Sequence, residues 1–160
     1  MGWSVEVKDL VRRFGKHEAV AGISFDVEAG EVFGLLGPNG AGKTTTIRML
    51  ATLLPPTGGQ ILIEGIDALR RGNLVRRLIG YVPQALSTDG TLTGYENLLF
   101  FAKLLQLDRK VREERIQEIL ALLSLQEAAH QLVKEYSGGM VRRLEIGQAI
   151  LHQPRVLIFR

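Results

Sequence analysis

An α/β domain with an inserted block of helices is the fold class that the sequence predicts. Three observations carry it: strand-like apolar segments, alternating near the start and continuous in the middle and at the last residues; a glycine-rich loop between an apolar run and a helical stretch; and a change to helical period from about residue 92. There is no internal repeat.

The first strand is expected in WSVEVKDLVRRFG, where Trp3, Val5 and Val7 alternate with Ser4, Glu6 and Lys8. AVAGISFDVEAGE repeats the pattern with Ile23, Phe25 and Val27 on one face, and Ala29-Gly30 supplies a turn. VFGLLGPNGAGKTTTIRMLATLLPP reads as a strand over 32–36, a loop, a helix over 44–53 and a closing double proline. TGGQILIEGID is a short strand between glycine turns, and Ile79–Val82 is a further apolar strand. Thr93-Gly94-Tyr95-Glu96 has the capping-box form of a helix start. Leu98, Phe101, Ala102 and Leu105 follow at helical spacing, and Ile116, Ile119, Leu120 and Leu123 repeat it. Val156–Phe159 is the last strand.

The chain has 160 residues, enough for one domain with a real core and too few for two ordinary ones. Its net charge is +3, and the arginines come in scattered pairs (Arg12-Arg13, Arg70-Arg71, Arg76-Arg77, Arg142-Arg143) that read as solvated faces. With no block of like charges, a nucleic-acid partner is not expected. The sequence holds no cysteine, which excludes disulfides and thiolate metal sites. His17, His130 and His152 lack metal-ligand spacing. Charges occupy the N-terminal stretch where a signal peptide would be apolar, and the run LLFFAKLLQL is broken by Lys103 and too short to span a bilayer. A membrane connection is therefore expected through a partner, from the cytoplasmic side.

GPNGAGKT, Gly37 to Thr44, fits G-x-x-x-x-G-K-[ST] at every fixed position. Gly37, Asn39, Gly40, Ala41 and Gly42 would turn their amide N–H groups inward on phosphate oxygens, with Pro38, which has no N–H, in the same ATP-binding loop, and the helix that follows aims its positive end at the same place. Lys43 would reach the β- and γ-phosphates, Thr44 would ligate Mg2+ through its hydroxyl, and Thr45 continues the site. The alternative is a glycine-rich turn that matches by accident, and the strand–loop–helix context argues against it.

A second helix start lies in EYSGGMVRRLEIGQAIL, where Ser137 is a plausible N-cap and Gly138 and Gly139 leave the amides unobstructed before Met140. Leu144, Gly147 and Leu151 line one side of the helix. A flexible joint between helices is the competing reading of Ser-Gly-Gly alone.

The pair of helix starts, with Gln84 between them, resembles the ATP-binding subunits of ABC transporters over most of the chain. GPNGAGKTTT looks like the Walker A loop, IGYVPQ like the Q-loop strand ending in Gln84, and YSGGM like the signature motif. Phe14 matches the aromatic that stacks on adenine, with a core phenylalanine as the alternative. STDGTLTGYENLLFFAKLL looks most like the daunorubicin-resistance type within the ABC-2 multidrug exporters. Tyr136 and Met140 replace the usual Leu and Gln of the signature, a familiar variant in that group. Gln148 stands where an arginine is commoner, with no firm physical account.

The resemblance implies an N-terminal antiparallel β-subdomain, which the two successive strands near the start fit. It also implies two ATP-binding domains paired head to tail around two ATP molecules, with Mg2+ at each. Ser137, Gly138, Gly139 and Met140 would contact the nucleotide held by the partner domain. Gln84 would sense water, Mg2+ and the γ-phosphate, or else be a polar residue ending a strand. A transmembrane permease subunit would carry the exported compound, whose nature the chain does not encode. In the family the strand at Val156–Phe159 leads to an Asp and a Glu that orient Mg2+ and polarise the attacking water. Neither lies within these 160 residues, and Glu135 and Glu145 have no such role in the family. The sequence thus predicts ATP binding with weak or no hydrolysis, a truncated subunit, and a parallel sheet left incomplete. The expected division is a β-subdomain and loop core over 1–85, a helical subdomain over 86–152 and a final strand over 153–160. Two other readings are a non-hydrolysing ATP-binding module and a soluble ABC-type ATPase, although the latter usually has tandem cassettes or coiled-coil insertions.

Overall fold

A long antiparallel hairpin opens the chain, β1 (Trp3–Phe14) and β2 (His17–Glu28), closed by the Phe14↔His17 pair. The structure is a computed structural model that describes residues 2–85 and 87–160. β3 (Gly58–Ile63) joins the free side of β1, and β4 (Ile66–Asp67) follows. The sheet order is β2-β1-β3-β4, antiparallel throughout. Val5 and Val7 are buried, as the alternation predicts; Leu10, beyond a further register shift, and Ile61 and Ile63 on β3 are buried with them. Trp3 departs from the alternation and is 47% exposed. The register shifts between Trp3 and Val5, and Ser4 takes the inward place. A one-residue slip turns the side chains beyond it to the other face.

Helix α1 (Lys43–Leu50) starts one residue earlier than the sequence predicts and stops three residues sooner. Its end explains the difference. Thr52 enters the left-handed region at φ 58, Thr52 donates to the Met49 carbonyl, and Leu53 donates to Arg48 at 2.8 Å. This 6→1 and 5→2 closure stops a helix whatever the propensity of the next residues. α2 (Gly72–Leu78) runs straight into β5 (Ile79–Val82), which the sequence predicts with the same bounds.

The strand expected over 32–36 is not formed. Those residues carry no ladder pairing, and Val32 is 97% and Leu36 92% exposed. Apolar composition makes a segment compatible with a strand, but only a hydrogen-bonded neighbour makes it one.

Backbone contacts divide the chain into two units, Met1–Gly80 with Arg160, and Tyr81–Phe159. The second unit holds α3 (Gly94–Leu104), α4 (Arg109–Leu122), a 3₁₀ turn at Val133–Glu135, α5 (Gly138–Ile150) and β6 (Val156–Phe159). β5 and β6 form a short parallel sheet. The core of the second unit gathers Leu98, Ala102, Ile116, Ile119, Leu120 and Leu144, as the helical spacing predicts. Thr93 caps α3 with both halves of the capping box: Glu96 N–H donates to its hydroxyl, and its own N–H donates to the Glu96 carboxylate at 2.8 Å.

Arginines close α4 and α5 reciprocally. Arg143 on α5 donates to the Leu123 carbonyl at 2.8 Å, and Arg115 on α4 donates to the Ile150 and Leu151 carbonyls at 3.2 Å each. Charged donors at helix C-termini satisfy carbonyls that have no intrahelical partner. The Arg142-Arg143 pair is therefore not a solvated face. Among the described residues, no helix is long and apolar enough to cross a membrane.

Candidate functional site

In the first unit the loop ends at Gly42, the N-cap of α1. Gly42 lies at φ 82, and a Cβ there would sit 2.3 Å from the Ala19 carbonyl oxygen on β2. This close approach seats the loop against the hairpin. Ala19 is two residues beyond His17, the partner of Phe14, so the hairpin brings Phe14 to within about 7 Å along the strand of that contact. Phe14 is 48% exposed, which excludes the core alternative, and the Arg12 guanidinium lies 4.5 Å from its ring centroid.

Lys43 folds its ammonium back over the loop, donating to the Gly37 and Pro38 carbonyls at 2.7 Å each. The first turn of α1 has neither a capping side chain nor an acidic residue. α3 fills its own N-terminus with Thr93 and Glu96, whereas α1 leaves amide donors and a cation. That donor set fits an anion and, with the exposed loop residues 37–41, fits a polyphosphate. Thr46 turns its hydroxyl back on the Gly42 carbonyl at 3.1 Å, while Thr44 and Thr45 stand half-buried at the helix start. Among the described residues no group of three His, Asp or Glu could hold a metal, so a cation here would rely on a hydroxyl such as that of Thr44 and on phosphate oxygens.

In the second unit Ser137 is the N-cap of α5, as the sequence predicts, and its hydroxyl accepts from Met140 N–H at 3.2 Å. Gly138 and Gly139 are exposed, with open space where side chains would stand, and the first turn carries no acidic residue. Tyr136, just ahead, is buried and donates from its hydroxyl to the Ala128 carbonyl at 2.6 Å. Burial pushes its phenol above the usual range. A leucine cannot make that bond, so the Tyr136 variant has a structural consequence.

Gln84 is exposed on a bend after Pro83. Its loop is held from α5: Arg142 donates to the Pro83 carbonyl at 2.8 Å, and Glu145 accepts from Ser87 N–H at 2.6 Å. Sequence reasoning considered Glu145 as a stand-in carboxylate and missed this role. Its side chain is fully buried and paired with Arg142 at 3.1 Å, so it is not free to polarise water. The signal was present, because Val141, Leu144, Glu145 and Gln148 share the i, i+3, i+4, i+7 face of α5. An acid on an apolar face needs a partner.

The profile of one protein family, described as ABC transporter, matches residues 20–159. An uncharacterized ABC transporter ATP-binding protein, YxlF of Bacillus subtilis (strain 168), is 45% identical over 154 residues, covering 96% of this chain and 50% of that protein. The daunorubicin/doxorubicin resistance ATP-binding protein DrrA of Streptomyces peucetius is 44% identical over 154 residues, covering 96% of this chain and 47% of that one. A solved ATP-binding subunit of an ABC transporter superposes with a TM-score of 0.84 at 30% identity, over 97% of this chain and 65% of its own. The chain spans about half the length of the curated relatives it matches.

Proposed function

The chain belongs to the ABC transporter family as an ATP-binding domain, and from that premise we propose that it binds Mg-ATP through the loop 37–45 and Phe14 to power export by a separate membrane-spanning subunit. The observation that carries the reading is the start of α1: a cation over the loop and a helix N-terminus without its own cap.

In this reading the loop amides and Lys43 take the phosphates. The Lys43 ammonium leaves the Gly37 and Pro38 carbonyls for phosphate oxygens, exchanging neutral acceptors for charged ones. Phe14 offers its open face to the adenine ring. The Thr44 hydroxyl oxygen is the protein's ligand for Mg2+, and Gln84 contacts the same region when the domain closes. The bound cation neutralises charge on the β- and γ-phosphates. Ser137, Gly138, Gly139 and Met140 serve a nucleotide held by a second ATP-binding domain, through a serine hydroxyl and unobstructed amides. Hydrolysis is proposed for the full-length subunit. The similarity to a drug-resistance ATP-binding protein supports a drug-like export substrate, with the permease setting selectivity.

The test is binding of a fluorescent Mg-ATP analogue by this chain and by Lys43→Ala, with phosphate release measured alongside. The variant is expected to lose about 10- to 100-fold in affinity, the worth of charged hydrogen bonds. Equal affinity in both proteins would refute the site. Phosphate release that disappears in Lys43→Ala would show that the residues present complete a hydrolytic centre.

A further inference from the structure

Glu145 is an acid where an apolar residue would pack. Only 2% of it is exposed, and it stands on the α5 face that also carries Val141, Leu144 and Gln148. Burying an ionised carboxylate is costly unless charge and hydrogen bonds compensate. Both of its oxygens are used here. Oε1 accepts from the Ser87 backbone N–H at 2.6 Å and from the Ser87 hydroxyl at 3.2 Å. Oε2 accepts from Arg142 at 3.1 Å, and the same Arg142 nitrogen donates to the Pro83 carbonyl at 2.8 Å. Gln148, one turn on, places Oε1 3.5 Å from the Ser87 hydroxyl. Its Nε2 is buried without a partner among the described residues. Three side chains of one helix thus converge on the residues that bracket Gln84.

We propose that Glu145 is a positioning residue: its carboxylate clamps the Ser87 amide, so that the loop carrying Gln84 moves with the signature helix α5 and not independently of it. The bond is short, charge-assisted and directed at the backbone, so it holds the loop by its main chain. Arg142 balances the carboxylate's charge and ties Pro83, on the other side of Gln84. A shift of α5 on closure is thereby delivered to Gln84. The functional part of this inference rests on reading Gln84 as the residue that senses phosphate and Mg2+.

The chain has no cysteine, so Ala85→Cys, exposed beside Gln84, accepts a single nitroxide spin label. In the Glu145→Leu background the label's spectrum is expected to shift toward fast motion. Glu145→Gln, which keeps an oxygen acceptor for Ser87 N–H, is expected to restore most of the slow spectrum. A leucine variant with the parent spectrum would overturn the clamp. Ser87 amide exchange in the unsubstituted chain is a second arm that needs no variant to fold: at least about tenfold protection is expected, and exchange at the open-chain rate would overturn the clamp. The third arm is the Mg2+ dependence of ATP affinity. Glu145→Leu is expected to reduce it as Gln84→Ala does, with no further loss in the double variant. If Gln84→Ala reduces it and Glu145→Leu does not, the coupling is refuted. If Gln84→Ala has no effect, the reading of Gln84 fails, and the label and exchange results still decide the clamp.

Discussion

Gly40 and Gly42 share the same left-handed backbone, φ 84 and φ 82, but not the same surroundings. A Cβ on Gly40 meets nothing within 4 Å, whereas one on Gly42 would lie 2.3 Å from the Ala19 carbonyl oxygen. Gly40→Ala therefore incurs only backbone strain, about 1–2 kcal/mol. Gly42→Ala adds a collision with main chain that cannot rotate away, so it is expected to unfold at lower urea and to lose nucleotide binding. Urea midpoints and analogue affinity for the two variants check this; equal midpoints would refute the distinction. The motif names both glycines, but only the packed hairpin tells them apart. Tyr136 is a similar case. Tyr136→Phe removes the 2.6 Å donor but leaves the Ala128 carbonyl its bond from Gln131 N–H at 3.0 Å, so it is expected to cost about 0.5–1.5 kcal/mol in urea unfolding.

At the scale of elements, α5 approaches its neighbours through Gly147. A Cβ there would lie 2.8 Å from Ile119 Cγ2 and 2.9 Å from Leu123 Cδ1. Alanine normally gains about 1 kcal/mol over glycine within a helix. Here overpacking costs about 1–3 kcal/mol against it, because the Ile119 methyl sits on a branched carbon that cannot swing clear. Gly147→Ala is expected to be net destabilising by thermal unfolding, and a raised Tm would refute the tight contact. The start of α3 behaves differently, because its stability is local. Thr93→Ala is expected to cost about 1 kcal/mol, mostly as fraying of the first turn visible in amide exchange. Capping and turn chemistry are encoded within four residues, which is why Thr93 and Ser137 are legible in the sequence. The packing of α5 is not, because Ile119 and Gly147 meet only after two helices fold back on each other.

At the scale of the whole molecule, three carboxylates among the described residues are held below their ordinary values by hydrogen bonds to the ionised form. Asp67 accepts from Arg70 and Leu69 N–H, Asp89 from the Thr91 hydroxyl and N–H, and Glu96 from Thr93 N–H. A depressed folded value means that the stabilisation is complete above the unfolded value, 3.8 for the aspartates and 4.5 for Glu96, and is lost as pH falls through the folded value. Urea midpoints are thus expected to hold steady down to about pH 5 and to fall below about pH 4. A midpoint rising on acidification would contradict these assignments. The strand expected over 32–36 also belongs to this scale: Val32 and Leu36 have the composition of a buried strand and remain exposed. By itself the sequence determined the contiguous features: the glycine loop with Lys43, the capping box at Thr93 and the Ser137 helix start. Each is a matter of backbone amides arranged within a few residues. The tertiary structure alone decided that Ala19 limits Gly42, that Trp3 turns outward, that 32–36 stays unpaired, and that Glu145 holds Ser87. Those outcomes depend on which distant residues share a space, and no local period in the chain carries that information.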